Sequence, residues 1–196
     1  NDCDAILEAA RCADIHPVPV KSHEQQQVQQ LHNLREAWKK TRVQHINLLR
    51  GILRELGVAA PSGTQAFLRQ ACELIERPEV CALRSSLQMV LAEISLCEQS
   101  MRDSEEQLAR WHADDDIVHK LDEVSGIGLL TASALKTAVG KPERFASGRH
   151  LSAWLGMTPN EYSSGARRRL GCISCKGNTY VRTLLIHGAR AALLAA

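Results

Sequence analysis

A hydroxyl set beside fixed guanidinium groups is what phosphodiester chemistry asks for, and one stretch of the chain offers it. Ser163, Ser164 and Gly165 are followed at once by Arg167, Arg168 and Arg169, then by a glycine-punctuated turn with Lys176 and an apolar segment carrying Arg182, His187 and Arg190. An alcohol can attack phosphorus while guanidinium forks hold the phosphate and take up charge developing on its non-bridging oxygens. The same residues suit a plainer role, because a serine in a glycine-rich basic loop is commonly a phosphate contact or a turn residue. No obvious base lies in the stretch. His187 is the one conceivable acceptor, and packing or phosphate binding suits it as well. Arg182, on an apolar helix, can equally be a snorkelling side chain.

The overall charge of +2 hides an asymmetry. Residues 141–196 hold nine Lys or Arg against two acids, Glu143 and Glu161, a net +7; the remainder holds fifteen basic and twenty acidic residues, a net −5. A polyanion would therefore meet the C-terminal third. Just upstream, the turn Ser125-Gly126-Ile127-Gly128 between two short helical patterns resembles a helix-hairpin-helix, in which Gly126 and Gly128 would expose backbone N–H groups to a phosphate. Glycines that simply let two helices pack through a tight turn fit it equally.

Metal-ligating patterns are weaker. Asp2, Asp4 and Glu8 lie close together on a short helical pattern, where carboxylates can share a divalent cation such as Mg²⁺ or merely solvate a helix end. Asp114, Asp115 and Asp116 suit a helix cap. Cys172 and Cys175 form a C-x-x-C pair with no second ligand pair nearby, so free thiols are expected. Seven cysteines, an odd number spread along helical patterns, point to a reducing cytoplasm. There is no apolar run of about 18 residues and no basic-then-apolar leader, so neither a membrane span nor a secretory signal is expected.

The elements that must position these residues are helical. Of the 196 residues, 44% are apolar but only 4% aromatic, which gives a largely aliphatic core. Ser22 and Gln25 read as a capping box opening a helix that runs to about Leu56, where Gly57 stops it. At about 1.5 Å per residue it would be roughly 50 Å long. After Pro17 and Pro19, which predict an extended connector, this is the first long element. A shorter helix follows from Pro61–Thr64 to Glu76. From Val80 a heptad is explicit, with Val80, Leu87, Ile94, Met101 and Leu108 at a, and Leu83, Val90, Cys97, Ser104 and Trp111 at d. That seam needs a partner, supplied either by the preceding helix folding back or by a second chain. A final apolar helix is expected from Thr179. The sequence opens on Asn1 inside what reads as the end of another unit and stops at Ala196 inside a helix, so a fragment is expected.

In combination these blocks resemble a known family. GIGLLTASAL, FASGRHLSAWLGMTP and YSSGARRRLGCISCKGNTYVRTLLIHGARA, in that order, are similar to the C-terminal domain of bacterial insertion-sequence transposases that combine a RuvC-like DEDD domain with a serine-bearing domain. The stretch from His16 to Gly57 resembles the helical region between the two. The resemblance implies that four acids of the first domain bind Mg²⁺, and that a serine of the second attacks DNA and becomes covalently linked to it. It further implies that a structured bridge RNA pairs with donor and target DNA, and that the protein acts as an oligomer. Carried over, the serine falls on Ser164, with Ser163 as fallback, and the last of the four acids on Asp2. The first three acids are absent from this chain, and Cys172 and Cys175 stand where the family has glycine and lysine.

The expected fold is therefore all-α: a residual end of the RuvC-like domain and connector over residues 1–20, a long-helix coiled-coil region over 21–113, and a C-terminal transposase domain over 114–196. The expected function is DNA binding and serine-mediated strand exchange, with Gly126, Gly128, Arg167, Arg168, Arg169, Lys176, Arg182 and Arg190 on DNA, in a protein that oligomerises through its coiled coil. The competing expectations are a non-catalytic nucleic-acid-binding module and a coiled-coil interaction protein with a solvated basic tail.

Overall fold

A computed structural model of the chain describes residues 2–12 and 20–195; the connector expected at Pro17 and Pro19 lies outside the described residues. Eight helices and one small hairpin make up the described part, so the protein is mainly helical. Helix α1 (Asp2–Arg11) buries none of its residues. Helix α2 (His23–Glu55) opens with a capping box, in which Ser22 Oγ accepts from the Gln25 N–H at 3.1 Å and Gln25 Oε1 accepts from the Ser22 N–H at 3.0 Å. After Gly57 the chain turns back through Val58 into α3 (Thr64–Ile75).

The heptad-bearing stretch begins as a 3₁₀ turn, Pro78–Leu83, with Pro78 at its first position where the missing N–H is least felt, and becomes α-helical as α4 (Arg84–Trp111). Helices α2 and α4 run antiparallel. Arg35 pairs with Glu105, Arg42 with Glu98 and His45 with Glu93, one partner rising as the other falls. The first core lies at the end of this pair that α3 closes: Ile46, Leu49, Leu53, Phe67, Ala71, Val80, Leu87 and Ile94 are all buried. Full burial of Leu49 or Leu53 contributes about 1.5–3 kcal/mol each. Of the heptad positions, Val80, Leu87, Ile94, Cys97, Ser104 and Leu108 are buried within the single chain, while Leu83 and Trp111 stay exposed. By length and apolar content Pro78–Trp111 could cross a membrane; it packs one face, the heptad seam, against α2 and α3.

Beyond α4 come α5 (Asp116–Asp122), α6 (Leu129–Val139), a 3₁₀ turn at Pro142–Arg144, α7 (Gly148–Trp154), strands β1 (Pro159–Glu161) and β2 (Leu170–Ile173), and α8 (Thr179–Ala195). Asp115 caps α5 by accepting from the Ile117 and Val118 N–H groups. A second core joins α6, α7 and α8, with Ala134, Leu155 and Val181 at its centre and Trp154, Tyr180 and Leu184 around them. Gly126, at φ +85°, lies flush against Gly188 of α8, and a Cβ on either glycine would run into the other's carbonyl oxygen. The Gly126 turn is thus a packing device between α5, α6 and α8, which the paired-glycine spacing also allowed.

One buried polar network fixes this domain to the long helices. Tyr180 of α8, His32 of α2, Ser133 of α6, His112 at the end of α4, Asp115 and Lys136 follow one another in hydrogen-bond contact. The distances are 3.1 Å from Tyr180 Oη to His32 Nδ1, 3.0 Å from His32 Nε2 to Ser133 Oγ, 2.9 Å from Ser133 Oγ to His112 Nε2, and 3.1 Å from His112 Nδ1 to Asp115 Oδ2. Lys136 Nζ closes the series on the same Asp115 oxygen. One assignment of protons satisfies every member. An ionised Asp115 accepts from His112 Nδ1–H; His112 Nε2 accepts the Ser133 hydroxyl; Ser133 accepts from His32 Nε2–H; His32 Nδ1 accepts from Tyr180. Burial, with Arg35 and His112 nearby, pushes His32 down to about 4. Burial raises Tyr180 above its ordinary value. At Asp115 burial acts upward, but hydrogen bonds from Lys136 and His112 outweigh it and hold the carboxyl at about 2.

Candidate functional site

The serine–arginine stretch folds as a β-hairpin, the single departure from the all-helical expectation among the described residues. Strands β1 and β2 pair antiparallel, with Pro159 opposite Ile173 and Glu161 opposite Leu170. The ladder continues toward the tip as Tyr162 N–H donates to the Arg169 carbonyl at 2.8 Å, and Ser164 and Arg167 exchange both backbone bonds at 3.2 Å. That leaves Gly165 and Ala166 as a two-residue turn. Gly165 has φ +59°, the left-handed geometry that such tight hairpins place on glycine.

The hairpin sets the candidate residues out in register. Ser164 and Arg167 face each other across the tip, and Ser163, Ser164, Arg167, Arg168 and Arg169 are all exposed. The two hydroxyls differ in their surroundings. Ser163 Oγ donates to Glu161 Oε1 at 2.6 Å and accepts from the Arg169 N–H at 3.1 Å. Arg168 Nε pairs with the same Glu161 oxygen at 3.3 Å. The hydrogen bond from Ser163, with Arg168 adding its charge, holds the Glu161 carboxyl below the usual carboxylate range, so it is ionised at neutral pH. Ser164, one residue further out, sits at the last bridge before the turn. Lys176 and Arg190 are exposed, Lys176 in the turn after β2 and Arg190 on α8.

Two expected phosphate ligands are placed differently. Arg182 is 7% exposed, with Nη1 donating to the Leu155 carbonyl at 2.9 Å and Nη2 to Thr179 Oγ1 at 3.2 Å. It ties the end of α7 to α8 and does not join the basic surface; an inward-facing position on an apolar helix is the reason. Gly126 is given over to packing against Gly188, whereas Gly128, exposed at the N-cap of α6, leaves the first N–H groups of that helix without a side-chain cap. Asp2 is exposed at the start of α1, and among the described residues no three His, Cys, Asp or Glu side chains gather closely enough to hold a metal ion.

Glu161 is the residue that spacing passed over: it registers in the sequence only as one of two acids in a basic third. His32, Ser133 and His112 were missed as well. His32 recurs four residues after Val28 on the apolar stripe of α2, which is the signal that could have found it. Ser133, His112 and Asp115 follow one another as a hydrolytic triad would, but Ser133 is 0% exposed and also held by His32, so no substrate reaches it.

The class defined by this geometry is a two-core helical protein: a long antiparallel helix pair carrying a compact, strongly basic domain that displays two serines and three arginines on a hairpin. The relatives of this chain are named as transposases. Residues 118–196 match the transposase IS116/IS110/IS902 family. Over 97% of its length the chain is 37% identical to a protein of Pseudomonas aeruginosa named as a probable family 20 transposase. It is 36% identical over 98% of its length to the transposase for insertion sequence element IS1111A of Coxiella burnetii. It is 33% identical over 96% to that for IS1328 of Yersinia enterocolitica. The chain spans 58%, 54% and 57% of those three relatives. The chain is thus similar, over nearly its whole length, to part of proteins named as transposases.

Proposed function

We propose that this chain supplies the DNA-gripping and strand-cleaving portion of an insertion-sequence transposase. The observation that carries this is the hairpin: exposed Ser163 and Ser164 on one arm, exposed Arg167, Arg168 and Arg169 on the other, in a segment of net charge +7. The Ser164 hydroxyl attacks the scissile phosphorus, an ester forms between Oγ and phosphorus, and the displaced DNA hydroxyl leaves; the arginines take up charge on the non-bridging oxygens. Lys176, Arg190 and the open N-terminus of α6 at Gly128 extend the grip on backbone phosphates.

Asp2 belongs, on this proposal, to a RuvC-like metal domain whose other acids lie outside this chain; Mg²⁺ held there would supply Lewis acidity, while this chain binds and orients DNA and supplies the nucleophilic serine. The seam of α4 is largely filled by α2, so oligomer contacts would use the stripes left outside it, Leu34 and Leu48 on α2 with Met89 and Leu96 on α4, each more than 45% exposed. A guide RNA completes the proposal by family resemblance alone. Full-length protein that runs as an RNA-free monomer in its active state would remove both of these parts.

The decisive experiment traps a covalent protein–DNA adduct with the full-length protein. The adduct is expected to disappear in Ser164→Ala and persist in Ser163→Ala; the reverse result moves the nucleophile to Ser163. Retention in both variants means that neither serine is the nucleophile; absence of any adduct with the wild-type protein leaves a non-catalytic nucleic-acid-binding module, a reading favoured by one observation, the structural hydrogen bonds already occupying Ser163.

A further inference from the structure

Glu161 is an anion in the middle of a cationic hairpin. Only one other acid, Glu143, lies in residues 141–196. Its Oε1 sits where a hydroxyl and a guanidinium converge, 2.6 Å from Ser163 Oγ and 3.3 Å from Arg168 Nε, with Ser163 itself braced by the Arg169 N–H. A negatively charged acceptor oxygen at those distances is also what a non-bridging phosphate oxygen would present. The contact is open to solvent: the side chains of Arg168 and Glu161 are 73% and 49% exposed. Surface ion pairs of this kind are weak, so an incoming strand, which also gains from releasing its counterions, can displace the carboxylate.

We propose that Arg168 and Ser163 form a phosphodiester subsite for DNA which Glu161 fills in the free protein, so that binding exchanges a carboxylate oxygen for a phosphate oxygen. The proposal rests on the DNA-binding function assigned to the hairpin and names one phosphate position within it. It also gives Glu161 a role: an internal competitor that weakens indiscriminate attachment to polyanions, because every strand must evict it first.

The test measures binding of full-length protein to a labelled DNA duplex by anisotropy across a salt series, for wild type, Glu161→Gln, Glu143→Gln, Arg168→Gln and the Glu161→Gln/Arg168→Gln double variant, with thermal melts to show each is folded. Glu161→Gln is expected to tighten binding about two- to fivefold, the range for one exposed competitor, while Arg168→Gln weakens it and abolishes the gain in the double variant. Glu143→Gln is expected to change little. Equal tightening by Glu143→Gln would reduce the effect to bulk charge and overturn the proposal. So would an unchanged or weaker Glu161→Gln, a gain that survives without Arg168, or a gain seen with an RNA duplex and not with DNA. These failures leave the hairpin's DNA binding intact. Absence of salt-dependent DNA binding by wild type and all variants instead removes the functional assignment itself, and the subsite with it.

Discussion

Arg168 and Arg182 are the same side chain in opposite circumstances. Arg168 projects from β-hairpin backbone into solvent and touches one carboxylate, whereas Arg182 is enclosed and spends its guanidinium on the Leu155 carbonyl and the Thr179 hydroxyl. Their substitutions should therefore separate cleanly. Arg182→Met is expected to cost about 1–3 kcal/mol in urea unfolding, since the Leu155 carbonyl loses its donor, and to leave the slope of log affinity against log salt unchanged. Arg168→Gln is expected to leave stability within about 0.5 kcal/mol and to reduce that slope by about one. An Arg182→Met protein that is fully stable but has a shallower slope would return Arg182 to the DNA surface. In the sequence the run of three arginines declares itself, because consecutive charges cannot all be buried. A single arginine on an apolar helix does not, because its facing depends on which neighbours close over it.

At the level of elements, helices were legible and the hairpin was not. Val80, Leu87, Ile94 and Leu108 repeat every seven residues or a multiple of seven, and such a period over four heptads leaves little choice but a packed helix face. The strands offer nothing comparable. Three and four residues are too short to show alternation, all of β2 is exposed, and Gly165 is the only turn signal. The glycine pair is an intermediate case: Gly126 was visible as a turn, but its partner Gly188 lies mid-helix, where a glycine without a cap or kink signals a close neighbour. Gly188→Ala is expected to drive α8 off the Gly126 turn and to destabilise the protein by about 1–3 kcal/mol in denaturant titration, while an equivalent change at Gly51, which faces open space, is expected to be neutral or stabilising. Equal behaviour of the two variants would mean that the glycine–glycine approach is not tight.

Across the whole molecule, the two cores meet through the Tyr180–His32–Ser133–His112–Asp115 series, and its protonation sets how firmly they are joined. His32 has a folded value of about 4 against 6.5 in the unfolded chain. Between those values the unfolded chain binds more protons, so acidification favours unfolding. The His32 contribution is fully present above about pH 6.5 and falls by up to about 3 kcal/mol as the pH drops toward 4. Asp115 acts lower: its contribution is complete above 3.8 and is lost as the pH falls through about 2. Urea midpoints measured from pH 7 to 4.5 should decline for wild type and decline less for His32→Gln. A wild-type midpoint that stays level over that range would refute a neutral, buried His32. In the sequence only the Asp115 cap and the place of His32 on the apolar stripe were legible; the junction as a whole was not, since its members come from three helices and two caps, and only the folded chain brings positions 32, 112, 133 and 180 together.

The position of that junction along α2 has a mechanical outcome. From His32 to Glu55 the helix continues for roughly 35 Å at 1.5 Å per residue. Geometrically this is a long arm: a tilt of about 5° at the junction would sweep the distal tip through about 3 Å, approximately the length of a hydrogen bond. A junction near one end of so long a helix therefore turns small angular differences into displacements at the end that α3 closes.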